Sequence, residues 1–270
     1  MHESDGAPRI LTQAYYARLD AVERSHWYVA GMRLVARTLL DVHGLRSPGL
    51  VLDAGCGTGG TLEWLRRQFP GSRPVGIDLA PEALRYVKAH GTFPMSQASV
   101  VRLPFRSSTF DLVLSFDVLQ HVPESTGDVG KALREAARVL RPGGFLIVRA
   151  AARRWGDPTD VVSEDGCHRY RLAELAEEIR AAGFTVRHAT PANCLGSLLD
   201  DARRFLRRSG PGHGRDPGLT ICPPRYRLLS VAQRLVMRGE FLYLRYLRRR
   251  LPSGHTLLVV ATRDPARGSA

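Results

Sequence analysis

Apolar positions change period repeatedly along this chain. Residues 9–42 carry Leu34, Val35, Leu39 and Leu40 at helical spacing, which predicts a helical segment. Gly49-Leu50-Val51-Leu52-Asp53 is a short apolar run of the kind that forms a buried strand, and a glycine-rich turn follows it. A helix is predicted over 61–69, stopped by Pro70-Gly71. Val75-Gly76-Ile77-Asp78 reads as a second strand, and Pro81 opens a helix where its fixed φ and missing N–H are tolerated. A weak third strand is placed at 95–100, and 110–116 alternates as a fourth. An amphipathic helix over 128–140 ends before Pro142-Gly143-Gly144, which punctuates the chain ahead of the fifth strand, Phe145-Leu146-Ile147-Val148. A helix over 172–182 ends at Gly183, a strand follows at 184–188, and 255–262 supplies the last strand.

Strands alternating with helices predict an α/β fold: a mostly parallel, doubly wound sheet covered on both faces. Ligands in such folds bind beyond the carboxyl ends of the strands, near the point where strand order reverses. The stretch between 189 and 254 departs from the alternation. It holds two amphipathic helices, at 194–208 and 226–249, joined by a glycine- and proline-rich loop at 209–224. The chain shows no internal repeat.

At 270 residues the length suits one α/β domain with an insertion. Hydrophobic content of 44% and charged content of 24% describe an ordinary globular protein. No apolar run approaches the roughly 18 residues of a membrane span. Met1-His2-Glu3-Ser4-Asp5 has neither the basic start nor the apolar stretch of a secretory signal, so a cytoplasmic location is expected. Cys56, Cys167, Cys194 and Cys222 form no CxxC pair; they lack metal-ligand spacing and read as unpaired thiols.

Net charge is +13, which raises a nucleic-acid or anionic-membrane hypothesis. Only Lys88 and Lys131 are lysines, so much of the excess is an arginine bias. It is uneven, however: between Arg203 and Arg250 there are 13 arginines against Asp216 and Glu240, a local balance of +11.

The chemistry concentrates in Val51-Leu52-Asp53-Ala54-Gly55-Cys56-Gly57-Thr58-Gly59-Gly60. Alternating glycines after a strand let the backbone turn tightly and approach a ligand without Cβ interference. The pattern is Asp-x-Gly-x-Gly-x-Gly rather than the Gly-x-Gly-x-x-Gly of dinucleotide sites, and a carboxylate ends the strand. Beside a pyrophosphate Asp53 would be repelled; near the ammonium of a methionine moiety it is favoured. Asp78, about 20 residues further on, suits an acid that accepts bonds from ribose hydroxyls, a feature shared with nicotinamide enzymes.

Together with Val75-Gly76-Ile77-Asp78-Leu79-Ala80-Pro81, Leu103-Pro104-Phe105, Phe110-Asp111-Leu112-Val113-Leu114-Ser115 and Leu133-Arg134-Glu135-Ala136-Ala137-Arg138-Val139-Leu140-Arg141-Pro142-Gly143-Gly144, this motif resembles the class I S-adenosylmethionine-dependent methyltransferases over about 50–150. The resemblance implies a Rossmann-like seven-stranded sheet whose last strand, here 255–262, is antiparallel and lies beside the sixth. It implies S-adenosyl-L-methionine as cofactor, held by Asp53, Gly55, Cys56, Gly57, Thr58, Gly59, Asp78, Leu79, Ser99, Val100 and Phe116. In such enzymes an acid usually ends the third strand; Ser99 stands there, a weaker acceptor that Gln97 can support. His26-Trp27-Tyr28-x-x-Gly31-Met32-Arg33 and Gly166-Cys167-His168-Arg169-Tyr170 resemble flanking motifs of a bacterial branch with a long insertion before its last strand. The implied organisation is an N-terminal helical cap at 1–48, the core at 49–190, an arginine-rich helical insertion or lid at 191–254, the final strand at 255–262 and a tail at 263–270.

Methyl transfer needs alignment, exclusion of water and sometimes a base, but no metal. His121, after the fourth strand, and His168, on the rim after the fifth, are the candidate catalytic bases. His121 otherwise packs structurally beside the cofactor, and His168 otherwise locks the rim by hydrogen bonds, with Glu164 and Asp165 near its ring. Asp117 is a second base or a helix-start residue, and Trp155 lines the acceptor pocket or the core. Trp27 and Tyr28 can close over the sulfonium and Arg33 over the cofactor carboxylate, or all three belong to a helix packed on the sheet. The reading reached is transfer to a small-molecule acceptor, a specialised metabolite or a lipid- or sugar-linked intermediate, at O, N or C. An RNA methyltransferase is favoured by charge alone, and a non-catalytic S-adenosylmethionine-binding partner protein is the third reading. The insertion allows a peripheral membrane contact, while nucleic acid is the less favoured partner.

Overall fold

The computed structural model describes residues 12–122, 128–153, 168–194, 197, 227–247 and 250–265. Two helices, α1 (Gln13–Ser25) and α2 (Trp27–Val42), precede β1 (Leu50–Ala54) and α3 (Gly60–Gln68). There follow β2 (Arg73–Asp78), α4 (Pro81–His90), β3 (Met95–Gln97), β4 (Phe110–Phe116), a single 3-10 turn (Leu119–His121) and α5 (Asp128–Val139). β5 (Leu140–Ala151), α6 (Leu172–Ala181), β6 (Phe184–Ala192), α7 (Arg227–Leu247) and β7 (Thr256–Arg263) complete the order. The seven strands form one sheet in the order β3-β2-β1-β4-β5-β7-β6. β1 to β5 pair in parallel, and β7 runs antiparallel between β5 and β6, as the resemblance implied. Strand order reverses between β1 and β4, which puts their carboxyl ends at the switch point.

Successive strand residues face opposite sides. Leu52, Val113, Leu146, Val148 and Val259 meet Leu133 of α5 and Ile179 of α6 on one face. Val51, Leu114, Phe116, Ile147 and Leu258 meet Met32 and Leu39 of α2, Trp64 of α3 and Leu244 of α7 on the other. Each fully buried aliphatic side chain contributes roughly 1.5–3 kcal/mol, so both layers are needed to hold the sheet. The Leu103-Pro104-Phe105 segment is stitched to α5: Arg138 donates to the carbonyls of Phe105 (2.7 Å) and Leu103 (3.0 Å), and Glu135 accepts from the Leu103 amide at 2.7 Å.

Three expectations need correction. The segment 9–42 is not one helix in its described part. His26 adopts an extended backbone, ends α1, and starts α2 by accepting from the Tyr28 amide through Nδ1 at 3.2 Å. The third strand stops at Gln97, leaving Ser99 and Val100 in the following turn, where Ser99 Oγ accepts from the Val101 amide. The fifth strand begins at Leu140, not Phe145: Leu140 pairs with Phe110 and Phe145 with Leu112, so Arg141 to Gly144 bulge out against Asp111. Asp111 secures this bulge through Arg141 (2.7 Å) while accepting from the amides of Gly49 and Leu50. The helix expected at 226–249 is α7. The one expected at 194–208 lies outside the described residues except for Cys194 and Ser197, as do Trp155, Glu164, Asp165, Cys167 and Cys222. Cys56 and Cys194 are free thiols. Among the described residues no helix is long and apolar enough to cross a membrane.

His188 of β6 packs beside the His43 ring at 5.6 Å, and burial, helped by His43, lowers its pKa from 6.5 to about 4. The folded protein therefore keeps His188 neutral where the unfolded chain takes up a proton. Stability from this group is complete above about pH 6.5 and is lost as pH falls toward 4. The melting-temperature advantage of wild type over His188→Gln is expected to be larger at pH 7 than at pH 5; equal differences would refute the assignment.

Candidate functional site

The carboxyl ends of β1, β2 and β4 lie side by side at the glycine turn. Gly55, Gly57 and Gly59 all have positive φ (93°, 53° and 88°), a region other residues enter at a cost. A Cβ on Gly55 would collide with the Val118 side chain. The turn is tied to β2: the amides of Gly55 and Cys56 both donate to the Ile77 carbonyl at 2.8 Å. Asp78 accepts from the Gly57 amide at 2.9 Å and the Ala80 amide at 3.0 Å. Burial raises the Asp78 pKa, and those two amides oppose the rise. The Cys56 thiol is turned inward against β2: a Cβ on Gly76 would lie 2.8 Å from its Sγ. Burial pushes that thiol well up, which removes it as a nucleophile.

Asp53, next to last in β1, is 1% exposed, on the sheet face that carries α2. Its Oδ2 has no hydrogen-bond partner, and burial first, then Glu23, raise its pKa well above its ordinary value. Around it lies a polar layer that the linear motif did not reveal. Glu23 of α1 accepts from Thr58 Oγ1 at 2.6 Å and from the Gly60 amide at 3.1 Å. Arg33 of α2 donates to the Glu23 carbonyl at 2.8 Å and to Thr61 Oγ1 at 3.3 Å. Arg149, in β5, pairs with Asp117 at 2.6 Å and stands 4.7 Å over the Phe116 ring. Although burial opposes its charge, Asp117, Tyr28 and Glu23 hold the Arg149 guanidinium above its ordinary pKa. Asp117 is not a helix-start residue: its φ of 58° makes it a left-handed turn at the end of β4, and strain of this kind collects at functional sites. Tyr28 is hydrogen-bonded to Thr256 Oγ1 at 2.5 Å.

The two candidate histidines share one rim. His121 closes the 3-10 turn after β4, and the His168 amide donates to the Gln120 carbonyl at 2.8 Å. The His168 ring lies edge-on to Tyr170 at 4.3 Å, while Tyr170 donates to the Leu119 carbonyl at 3.1 Å. Trp27 is partly buried against the core cluster that α2 covers. Leu79, just past Asp78, is 57% exposed, and its carbonyl accepts from Gln97 Nε2 at 3.1 Å. Thr58 and Gly59 turn into α3, Gly59 as its N-cap. Sequence reasoning missed Glu23 and Arg149. Arg149 had a signal, as the lone charge between Phe145 and Ala152; Glu23 had none, since its partner Thr58 lies 35 positions away.

Residues 52–148 match the family described as a methyltransferase domain. Norajmaline N-methyltransferase of Rauvolfia serpentina is 35% identical over 118 residues, covering 40% of this chain and 38% of that protein. Ubiquinone biosynthesis O-methyltransferase of Azorhizobium caulinodans is 33% identical over 172 residues, covering 55% and 62%. The chain thus spans less than two thirds of the length of these curated relatives. Phosphoethanolamine N-methyltransferase 2 of Haemonchus contortus, solved in complex with S-adenosyl-L-methionine, superposes with a TM-score of 0.62 at 15% identity, over 95% of this chain and 58% of that one. Sheet order and matched segment agree: the chain has the Rossmann-like fold of the class I S-adenosylmethionine-dependent methyltransferases, and residues 52–148 carry its methyltransferase-domain sequence.

Proposed function

We propose that this chain transfers a methyl group from S-adenosyl-L-methionine to a small-molecule acceptor. The observation that carries the reading is Asp53, a buried carboxylate with an unpartnered oxygen behind a glycine turn. Such a group is costly unless a ligand completes it. The surrounding layer holds the carboxyls of Asp53, Glu23 and Asp78 beside the guanidiniums of Arg33 and Arg149, and burial raises the pKa of all three acids. A ligand bearing a sulfonium and an ammonium favours their ionised forms. Asp78 presents its oxygens at the end of β2 for a ribose, and exposed Leu79 offers apolar surface to an adenine.

When bound, the cofactor supplies a sulfonium-activated methyl group. The chain aligns the acceptor: Arg149 fixes Asp117 at the end of β4, and His121 and His168 border the same opening, where an imidazole can take the acceptor proton as the new bond forms. The named substrates of the two relatives, norajmaline and ubiquinone precursors, are what support a small molecule here.

The exposed side of α7 supports an additional contact. Leu235, Leu242 and Tyr246 are 59%, 48% and 73% exposed at helical spacing, interleaved with exposed Arg238 and Arg245, while Leu244 faces the core. We read this stripe as a peripheral contact with an anionic lipid surface, where apolar residues enter the interface and arginines meet headgroups.

Incubation with methyl-labelled S-adenosylmethionine and a cell extract is expected to label the small-molecule or organic-soluble fraction; label only in acid-precipitable RNA would overturn the acceptor reading. His121→Ala and His168→Ala should lower turnover by about 10²-fold or more for whichever is the base, with cofactor affinity kept; normal turnover returns that histidine to a structural role. Asp53→Asn should raise the stability of the ligand-free protein by about 1–3 kcal/mol, read by melting, while weakening cofactor binding. A loss of stability would remove the strain argument. Vesicles containing phosphatidylglycerol should sediment the protein and phosphatidylcholine vesicles should not, with the difference abolished by Leu242→Glu.

A further inference from the structure

The donors at one end of the cofactor groove are engaged by a carboxylate of the chain itself. Glu23 takes the Thr58 hydroxyl and the Gly60 amide, one of the N–H groups that an α-helix leaves free at its start. Arg33 brings its guanidinium to the same spot: a Cβ on Gly60 would lie 2.8 Å from both Arg33 Nη2 and Glu23 Oε2. Two unpartnered atoms of buried side chains, Arg33 Nε and Asp53 Oδ2, belong to the same layer, and both residues interact electrostatically with Glu23. A hydroxyl, a helix-end amide and a guanidinium beside a buried carboxylate match the end of an α-amino acid: donors for its carboxylate, an acceptor for its ammonium. The rest of α1 covers the groove. Leu19 Cδ2 and Glu23 Oε1 stand 3.2 and 3.7 Å from where a Cβ on Gly57 would sit, and Tyr16 is buried against Ala80 and Ala83 within electrostatic reach of Asp78.

We infer that Glu23 is a resident competitor for the cofactor's α-carboxylate: beside the Arg33 guanidinium it holds the Thr58 and Gly60 donors while α1 lies over the glycine turn, and yields them when the amino-acid end of S-adenosylmethionine takes the same seat. The inference rests on the cofactor reading proposed above. Two carboxylates cannot both ionise over one set of donors without strong repulsion; burial already raises the Glu23 pKa, and the cofactor's carboxylate takes the donors that stabilise the Glu23 charge. α1 can move without unwinding α2, because His26 is a single extended residue between them. The ion pair that ties α1 to α3, Arg24 with Glu63 at 2.9 Å, lies at the surface, where such pairs are weak. Cofactor entry and the opening of α1 are therefore one event.

The test compares S-adenosylhomocysteine with 5′-methylthioadenosine, which lacks the amino-acid end, binding to full-length wild type and Glu23→Gln by calorimetry. Glutamine keeps the size and an acceptor but not the charge. The variant is expected to bind S-adenosylhomocysteine about tenfold tighter than wild type, with methylthioadenosine unchanged. Unchanged or weaker S-adenosylhomocysteine binding, or an equal gain for both ligands, overturns the competition while leaving the cofactor reading intact. Failure of wild type to bind either nucleoside removes the cofactor reading, and the competition with it. Should the variant not fold, hydrogen exchange of wild type decides: the amides of Gln13–Ser25 exchange faster with S-adenosylhomocysteine bound than with methylthioadenosine, and equal exchange overturns the inference.

Discussion

A charge withdrawn from water must be answered by an opposite charge or by hydrogen bonds, and at the carboxyl edge of this sheet that demand is only partly met. Asp53 is buried with an unpartnered oxygen, close to the carboxyls of Glu23 and Asp78 and the guanidiniums of Arg33 and Arg149. The apolar face of α2, with Met32 and Leu39, packs in the core, and this layer ties α1 to α2 and to α3. Arg33 reaches the Glu23 carbonyl, and Glu23 reaches across to the start of α3. In the proposed function a ligand that completes Asp53 meets this demand, and what costs the free protein stability becomes affinity for a sulfonium compound.

The sheet makes that arrangement possible. Alternation along the strands sends Asp53, Phe116 and Arg149 to the side covered by α2, while their neighbours Leu52, Ser115 and Val148 face the other way. The parallel order brings the ends of β1, β2 and β4 side by side, and two amides of the glycine turn converge on one carbonyl of β2. Rigid strand ends then hold a turn that no Cβ obstructs, and Asp117 is fixed in a left-handed conformation by its ion pair with Arg149. The site thus has a rigid floor of strand ends, and above it α1, joined to α2 through the single extended residue His26.

Much of the core was legible because its signals are local. The limits of β4, the start of α4 at Pro81 and the glycine turn follow from short-range rules: alternation, the fixed φ of proline, and the need for backbone without a Cβ. The departures have equally physical causes. His26 ends α1 by backbone conformation and caps α2 with its ring, a role that neither glycine nor proline marks in the chain. The Arg141 to Gly144 bulge reads as a turn because its strand partner, Phe110 to Leu112, is remote in sequence.

Local chemistry, then, was enough to settle the class of fold and to mark the glycine turn, with Asp53 and Asp78 beside it, as the candidate cofactor site, since each depends on residues within a few positions of one another. Only the tertiary structure decided that Glu23 sits on Thr58 and Gly60, that Arg149 holds Asp117, and that His168 is fastened beside His121. Each of these contacts joins residues more than thirty positions apart. Their geometry follows from how helices and strands pack, which no short window of sequence contains.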